Sequence, residues 1–139
     1  MKTNKITTEQ AMREQLFAGK RVLLAEDNEI NREIAKTLLR LLGIKVECVS
    51  NGKEALLQYF ASPPGYYDII LLDIMMPIMD GVQTALEIRK KEKVKTVIIA
   101  YTTRISTENL EEYQEAGIDD YLKKPTDIIE LCQVLSKWI

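Results

Sequence analysis

The sequence predicts an α/β fold, a doubly wound sheet of five parallel strands with helices on both faces. Short continuous apolar runs alternate along the chain with amphipathic segments of helical periodicity. Apolar runs of this kind are typical of strands that are buried on both faces of a parallel sheet. The 139 residues, 46% of them hydrophobic, suit one domain with a substantial core. We therefore expect a strand–helix unit repeated five times with right-handed crossovers.

The five apolar runs are short enough to be strands and are bounded by polar or turn-forming residues. In chain order they are RVLLA, IKVECV, YDIILL, TVIIAY and DYLK.

The first predicted helix follows the first run. Ile30, Ile34, Leu38 and Leu41 recur at helical spacing and share one face, and Gly43 is a suitable stop.

Each remaining helix follows one of the later runs. The second, NGKEALLQYF, begins after a cap at Ser50 or Asn51, and the third is GVQTALEIRKKEK. The fourth, STENLEEYQEAG, has Ser106 as its cap and Gly117 as its terminator, and the fifth is TDIIELCQVLSKWI.

Residues 1–19 are polar and are predicted to be a linker, with Thr7 or Thr8 as a helix cap, ahead of a domain at 20–139. The N-terminus lacks the apolar core of a signal peptide, and no apolar run approaches the roughly 18 residues of a membrane span. Cys48 and Cys132 lie among apolar residues, as small buried side chains do in a reducing compartment. The domain is expected to be cytoplasmic and to make no membrane contact.

Composition excludes several kinds of function. The formal net charge of −2 provides no basic field for a nucleic acid backbone, so direct nucleic acid binding is not expected. The chain contains no histidine, which excludes Ser-His-Asp and Cys-His nucleophilic sites and histidine metal ligands.

Polar side chains stand at the ends of four predicted strands. In chain order they are Glu26-Asp27, Asp73, Thr102-Thr103 and Lys123-Lys124. Each alone could be a helix cap, a turn residue or a solvated charge. Together they reach the carboxyl edge of the sheet, where open α/β folds bind their ligands.

Three carboxylates in one cleft, those of Glu26, Asp27 and Asp73, would repel one another unless a cation compensated them. Mg²⁺ suits oxygen ligands and keeps positions open for phosphate oxygens, whereas Ca²⁺ fits less well because no EF-hand loop is present. Asp73 could then attack a phosphoryl group while Lys124 and Thr102 hold its oxygens.

The blocks LLAEDNEINREIAKTLLRLLG, LLDIMMPIMDG, IIAYTT and DDYLKKP resemble the receiver domain of two-component response regulators in order and spacing. The first block is most similar to receivers of hybrid sensor histidine kinases, and the likeness covers Lys20 to Ile139. It implies a flavodoxin-like (βα)5 fold with strand order 2-1-3-4-5. It also implies a signalling domain that changes conformation when phosphorylated, not an enzyme acting on external substrates.

The resemblance implies that Asp73 accepts a phosphoryl group from the phosphohistidine of a histidine kinase or a histidine phosphotransfer domain. Glu26, Asp27, Asp73 and the backbone carbonyl of Met75 would hold Mg²⁺, with Mn²⁺ as a substitute. Thr102 and Lys124 would contact the phosphoryl group.

The resemblance also identifies Tyr121 as an aromatic switch that turns inward with Thr102, and it implies a cis Lys124–Pro125 bond. The fourth helix, fifth strand and fifth helix would form the face that changes on phosphorylation and supports self-association. The acidic positions of the fourth helix are expected to be a solvated face, with a partner surface as the alternative.

The sequence departs from the family around the expected site. Thr103 replaces the usual alanine or glycine, which would tighten access. Met75 and Arg104 occupy positions that tune phosphate hydrolysis in relatives. Because Met75 offers no hydrogen bond to an attacking water, a long-lived phosphorylated state is predicted.

Two alternatives are weaker. A magnesium phosphohydrolase would require a second aspartate two residues after the nucleophile, where Met75 stands. A degenerate receiver that only binds partners would have lost an acidic residue or the lysine, and both are present.

Overall fold

The computed structural model describes Thr7, Glu9, Gln10 and residues 17–139. Within them, β-strands alternate with α-helices from Arg21 onward. In chain order the elements are β1 (Arg21–Ala25), α1 (Glu29–Leu41), β2 (Lys45–Val49), α2 (Gly52–Ala61), β3 (Ile69–Asp73), α3 (Gly81–Lys91), β4 (Val97–Thr102), α4 (Thr107–Glu115), β5 (Asp120–Lys123) and α5 (Ile128–Trp138).

The strands form one parallel sheet in the order β2-β1-β3-β4-β5. The predicted flavodoxin-like fold and strand order are therefore confirmed. Strand β3 lies at the centre, and all five of its residues are buried. Its last residue, Asp73, is paired in register with Tyr101 of β4, so the ends of these two strands lie side by side.

Each face of the sheet has its own core. One core contains Val22, Leu24 and Leu71 and is covered by α1 and α5. The other contains Leu23, Ile70 and Leu72 and is covered by α2, α3 and α4. Neighbouring strand residues point to opposite faces, so the inner strands β1, β3 and β4 must be apolar over nearly their whole length, whereas the edge strands β2 and β5 also carry charged residues. This double burial explains the continuous apolar runs in the sequence.

Most of the apolar stripe predicted for α1 does not face the core; of its four residues, only Leu38 packs against the core, half-buried. Ile30, Ile34 and Leu41 are 72%, 46% and 44% exposed, whereas Ala35 and Leu39 are buried against the sheet. Both sets recur at helical spacing, so periodicity defines a stripe without showing which stripe is buried. The short Ala35 side chain lets the helix lie close to the sheet.

Side-chain caps begin the helices next to the carboxyl edge of the sheet. Asn28 accepts a hydrogen bond from the N–H of Asn31, and Asn51, rather than Ser50, caps α2. The remaining caps are Asp80, Ser106 and Asp127. Helix α4 ends before Gly117, which has a φ of 89° and confirms its predicted role as terminator.

The loop after β3 is tightly fitted. A side chain on Gly81 would collide with the Asp73 carbonyl and with Ile74, so only glycine allows α3 to start so close to the end of β3. Ile78 has a φ of 71°, a strained left-handed conformation for a β-branched residue, and is 76% exposed.

Most of the predicted linker lies outside the described residues, as does Thr8. Thr7 is described, and its Oγ1 accepts the N–H of Gln10 at 3.0 Å in the manner of a cap. The boundary at residue 20 stays a prediction. Cys48 is half-buried, Cys132 is buried, and both are free thiols. Among the described residues, no helix has the length and apolarity needed to cross a membrane.

Candidate functional site

Two buried carboxylates and one ammonium group meet at the carboxyl edge of the sheet. Glu26 follows β1 and is fully buried, and Asp73 ends β3 and is 3% exposed. Lys124 follows β5, and its Nζ contacts Glu26 Oε1 and lies 3.1 Å from Asp73 Oδ1. Glu26 Oε2 accepts the N–H of Asn28 at 3.0 Å, which fixes the carboxylate at the start of α1.

Asp27 completes an acidic cluster. Its side chain is exposed, and one carboxylate oxygen from each of Glu26, Asp27 and Asp73 lies within 4.8 Å of the others. Three carboxylates face a single lysine here, so the cluster carries an excess of negative charge. Oxygen donors at this spacing are suited to a hard divalent cation such as Mg²⁺. The sequence prediction that these three residues converge is therefore met by the geometry.

The electrostatic imbalance is largest at Asp73. Burial raises its pKa from the ordinary 3.8 to about 7; Lys124 opposes the rise, and the Glu26 carboxylate adds to it. Burial also raises the pKa of Tyr101 to about 12, and the nearby carboxylates of Glu26 and Asp73 add to this rise. Without a cation, the cleft therefore disfavours an ionised Asp73.

Strand β4 contributes Thr102, which is 1% exposed. Its carbonyl accepts the N–H of Lys124 at 2.9 Å, which fixes the backbone of the lysine beside the end of β4. Its Oγ1 accepts the N–H of Arg104 at 3.0 Å. Movement of this hydroxyl group towards a phosphoryl group stays a prediction.

The exposed rim of the site is formed by Met75 and Arg104. The Met75 N–H donates to Asp73 Oδ1 at 3.2 Å, and the Met75 side chain is 57% exposed. The Arg104 guanidinium donates to Met75 Sδ at 3.5 Å. Met75 and Arg104, the two positions that tune phosphate hydrolysis in relatives, thus contact each other. A role for the Met75 carbonyl stays a prediction.

Tyr121 lies on β5, away from the acidic cluster. It is 39% exposed and lines two shallow clefts, of about 220 and 340 Å³, on either side of the strand. Its role as a switch stays a prediction. The Lys124–Pro125 bond is cis, as the resemblance implied.

Sequence reasoning missed two tyrosines beside the site. The Lys124 ammonium lies 5.0 Å from the centre of the Tyr101 ring, which packs beneath it. Tyr113, from α4, donates its hydroxyl group to the Arg104 carbonyl at 2.8 Å. Tyr101 precedes Thr102, so its place in a strand that ends at the site was a usable signal. Tyr113 lies 11 residues after Thr102, and no local sequence pattern indicated that it would contact Arg104.

The chain matches the family described as "Response regulator receiver domain" over residues 22–136. It is 39% identical over 115 residues to two-component response regulator 24 of Arabidopsis thaliana, covering 83% of this chain and 81% of the relative. It is 36% identical over 122 residues to hybrid signal transduction histidine kinase L of Dictyostelium discoideum, covering 85% of this chain and only 7% of that kinase.

Solved structures of receiver domains are similar to this chain in fold. The receiver domain of the Pseudomonas aeruginosa PAO1 sensor histidine kinase PA1611, solved with magnesium in its active-site cleft, matches with a TM-score of 0.78 and 36% identity over 87% of this chain and 98% of that one. The receiver domain of Saccharomyces cerevisiae Ssk1, solved with the histidine phosphotransfer protein Ypd1, matches with a TM-score of 0.77 and 27% identity over 86% and 88%. The chain belongs to the response regulator receiver domains, the family that serves two-component phosphorelays.

Proposed function

We propose that Asp73 is the phosphoacceptor of this receiver domain. The observation that carries the proposal is the meeting of Asp73, Glu26, Asp27 and Lys124 at one end of a rigid central strand. A buried carboxylate held by a lysine can serve as a nucleophile whose attack is guided by fixed charges.

Mg²⁺ is the proposed cofactor, with Glu26, Asp27, Asp73 and the Met75 carbonyl as its ligands. The donor set fits the ion, because clustered oxygens in an anionic cleft are what a small hard cation prefers. When bound, the ion would neutralise carboxylate repulsion and the negative charge of the phosphoryl oxygens. The magnesium in the receiver of PA1611 supports the assignment. Mn²⁺ is proposed as a substitute.

The reaction follows from these positions. A carboxylate oxygen of Asp73 attacks phosphorus and forms an O–P bond, while the P–N bond of the phosphohistidine breaks and the imidazole leaves with the electron pair, taking a proton from solvent. Lys124, already 3.1 Å from Asp73, holds a phosphoryl oxygen. Thr102 turns its hydroxyl group from the Arg104 N–H towards another oxygen. No general base is required, because bound Mg²⁺ would offset the raised pKa of Asp73 and keep the nucleophile an anion.

The phosphoryl donor is proposed to be a histidine kinase or a histidine phosphotransfer domain. Four large apolar side chains surround the carboxyl edge and are 55–76% exposed. They are Ile30 in the first turn of α1, Met75 and Ile78 after β3, and Ile129 in the first turn of α5. Exposed apolar residues around a polar site are typical of a protein interface. The complex of the Ssk1 receiver with Ypd1 supports this type of partner.

The output is proposed to be a conformational change with no turnover of an external substrate. Thr102 would move towards the phosphoryl group and Tyr121 would follow into the space beside β5, shifting a two-state equilibrium. The surface of α4, β5 and α5 would then support self-association. Residues 1–19 are proposed to link the domain to a preceding one, as in a cytoplasmic part of a hybrid kinase.

Incubation with acetyl phosphate tests the phosphoacceptor. Intact mass should show one added phosphoryl group on the wild type with Mg²⁺, and none with EDTA or on Asp73→Asn. Glu111→Gln, on the exposed surface of α4, is the matched control and should be labelled like the wild type. An unlabelled wild type, or a labelled Asp73→Asn variant, would overturn the proposal. Continuous release of phosphate beyond one equivalent at a high rate would instead favour a phosphohydrolase.

A further inference from the structure

Tyr113 connects α4 to the loop beside the phosphorylation site. Its side chain is 3% exposed and packs in the core between the sheet and the helices. Its hydroxyl group donates to the Arg104 carbonyl at 2.8 Å. Burial raises the pKa of Tyr113, and the neighbouring Thr102 hydroxyl group offsets the rise only in part. The phenol is therefore protonated at neutral pH and acts as the donor.

Arg104 is held at three points. Tyr113 binds its carbonyl, Thr102 Oγ1 accepts its N–H at 3.0 Å, and its guanidinium contacts Met75 Sδ at 3.5 Å. The loop after β4 is thus joined to the loop after β3. Because β3 and β4 are neighbours and Asp73 ends β3, this contact spans the mouth of the site.

The contact between Arg104 and Met75 cannot hold the loop by itself. A thioether sulfur is a weak acceptor, and an exposed arginine loses rotamer freedom when it is fixed. The Tyr113 hydroxyl group, in contrast, is buried, and its ring is confined by packing. Because the proposed movement of Thr102 towards the phosphoryl group releases the Arg104 N–H, the backbone position of Arg104 in the phosphorylated protein depends on Tyr113.

We propose that Tyr113 is a positioning residue for the phosphorylation site: its hydroxyl group fixes the Arg104 backbone so that the Arg104 side chain lies on Met75 across the mouth of the site and limits the access of water to phosphorylated Asp73. This inference rests on the proposed phosphoacceptor role of Asp73. It gives the predicted long lifetime of phosphorylated Asp73 a second cause, in addition to the inability of Met75 to hydrogen-bond an attacking water.

Tyr113→Phe tests the inference, because it keeps the ring and removes only the hydroxyl group. The protein is labelled with acetyl phosphate and Mg²⁺, desalted, and followed by intact mass. Loss of the phosphoryl group should be about twofold to tenfold faster than in the wild type, the change produced by lowering a barrier by about 0.5 to 1.4 kcal/mol. Tyr59→Phe is the matched control: Tyr59 is also buried, and its hydroxyl group pairs with Thr96 Oγ1 at 2.7 Å, before the start of β4 and away from the site. It should leave the lifetime unchanged.

A double-mutant cycle separates positioning from a general loss of stability. Arg104→Ala should also shorten the lifetime, and adding Tyr113→Phe to it should cause no further change, because both act through one side chain. Equal lifetimes in Tyr113→Phe and the labelled wild type, or additive effects in the double variant, would overturn this inference and leave the role of Asp73 intact. An unlabelled wild type would overturn both.

Discussion

Replacing Asp73 with asparagine should stabilise the metal-free protein, even though it removes the proposed phosphoacceptor. Asp73 is 3% exposed and shares Lys124 with the fully buried Glu26. Two carboxylates and one ammonium leave the cleft with uncompensated negative charge. Removing the Asp73 carboxylate removes first the cost of burying its charge and then its repulsion with Glu26, and it leaves Glu26 and Lys124 as a matched buried pair.

The magnitude follows from the pKa of Asp73. Ionising a group whose pKa is about 7 in the folded state and 3.8 in the unfolded state costs about 4 kcal/mol, at about 1.36 kcal/mol per pKa unit. Asparagine buries an amide N–H₂ with incomplete hydrogen bonding, which costs about 1–3 kcal/mol. The net gain for Asp73→Asn is therefore expected to be about 1–3 kcal/mol above the folded pKa.

The stability of the wild type should also depend on pH. Because the folded pKa is raised, the folded protein binds more protons than the unfolded chain between pH 3.8 and about 7, so wild-type stability falls as pH rises through that window. Urea unfolding in EDTA should give Asp73→Asn a larger free energy of unfolding than the wild type at about pH 8. The difference between the two free energies should shrink towards pH 4. Glu111→Gln, on the exposed surface of α4, should show neither effect. A variant no more stable than the wild type at about pH 8, or a gap that does not change with pH, would refute the reasoning.

Three further predictions concern the cation, the partner and the phosphate. Saturating Mg²⁺ should stabilise the wild type in thermal unfolding by about 2.7 kcal/mol at 100 times its Kd, and Glu26→Gln should lose most of this effect; equal stabilisation of both would contradict the metal site. Ile78→Gly should raise the unfolding midpoint by relieving a positive φ, and slow phosphotransfer from a histidine phosphotransfer protein without affecting labelling by acetyl phosphate. Leu57→Ala is its control, at a residue of α2 that is 68% exposed against 76% for Ile78, and unchanged transfer in Ile78→Gly would refute the docking surface. Phosphorylated wild type should persist far longer than seconds by intact mass, because Met75 cannot hydrogen-bond an attacking water; a lifetime of seconds would contradict this.

The fold was accessible from sequence because a parallel sheet covered on both faces requires apolar strands with no alternation. The continuous apolar runs around Leu23 and Ile70 place alternate residues in the two cores, one on each face of the sheet. The site was accessible because parallel strands end at one edge, so residues far apart in sequence, such as Glu26 and Lys124, were expected to meet there.

Orientation and long-range contacts were less accessible. The stripe of Ile30 and Ile34 has the periodicity of a core face, yet α1 buries the smaller Ala35 because close packing on the sheet favours a short side chain. Trp138, at the end of α5, is large and aromatic, yet it is 38% exposed and donates its indole N–H to Asp120 at 2.8 Å. Contacts such as that of Tyr113 with Arg104 depend on how α4 is placed, which no local pattern encodes.

Residue-resolved trapping of the phosphoryl group tests the central claim most directly. The wild type is incubated with Mg²⁺ and a phosphorylated histidine phosphotransfer protein, then reduced with borohydride, which converts an aspartyl phosphate to homoserine. Peptide sequencing by mass spectrometry should find homoserine at position 73 and aspartate at position 27. Homoserine at another carboxylate, or an unmodified Asp73 when the donor has lost its phosphate to this protein, would contradict the account.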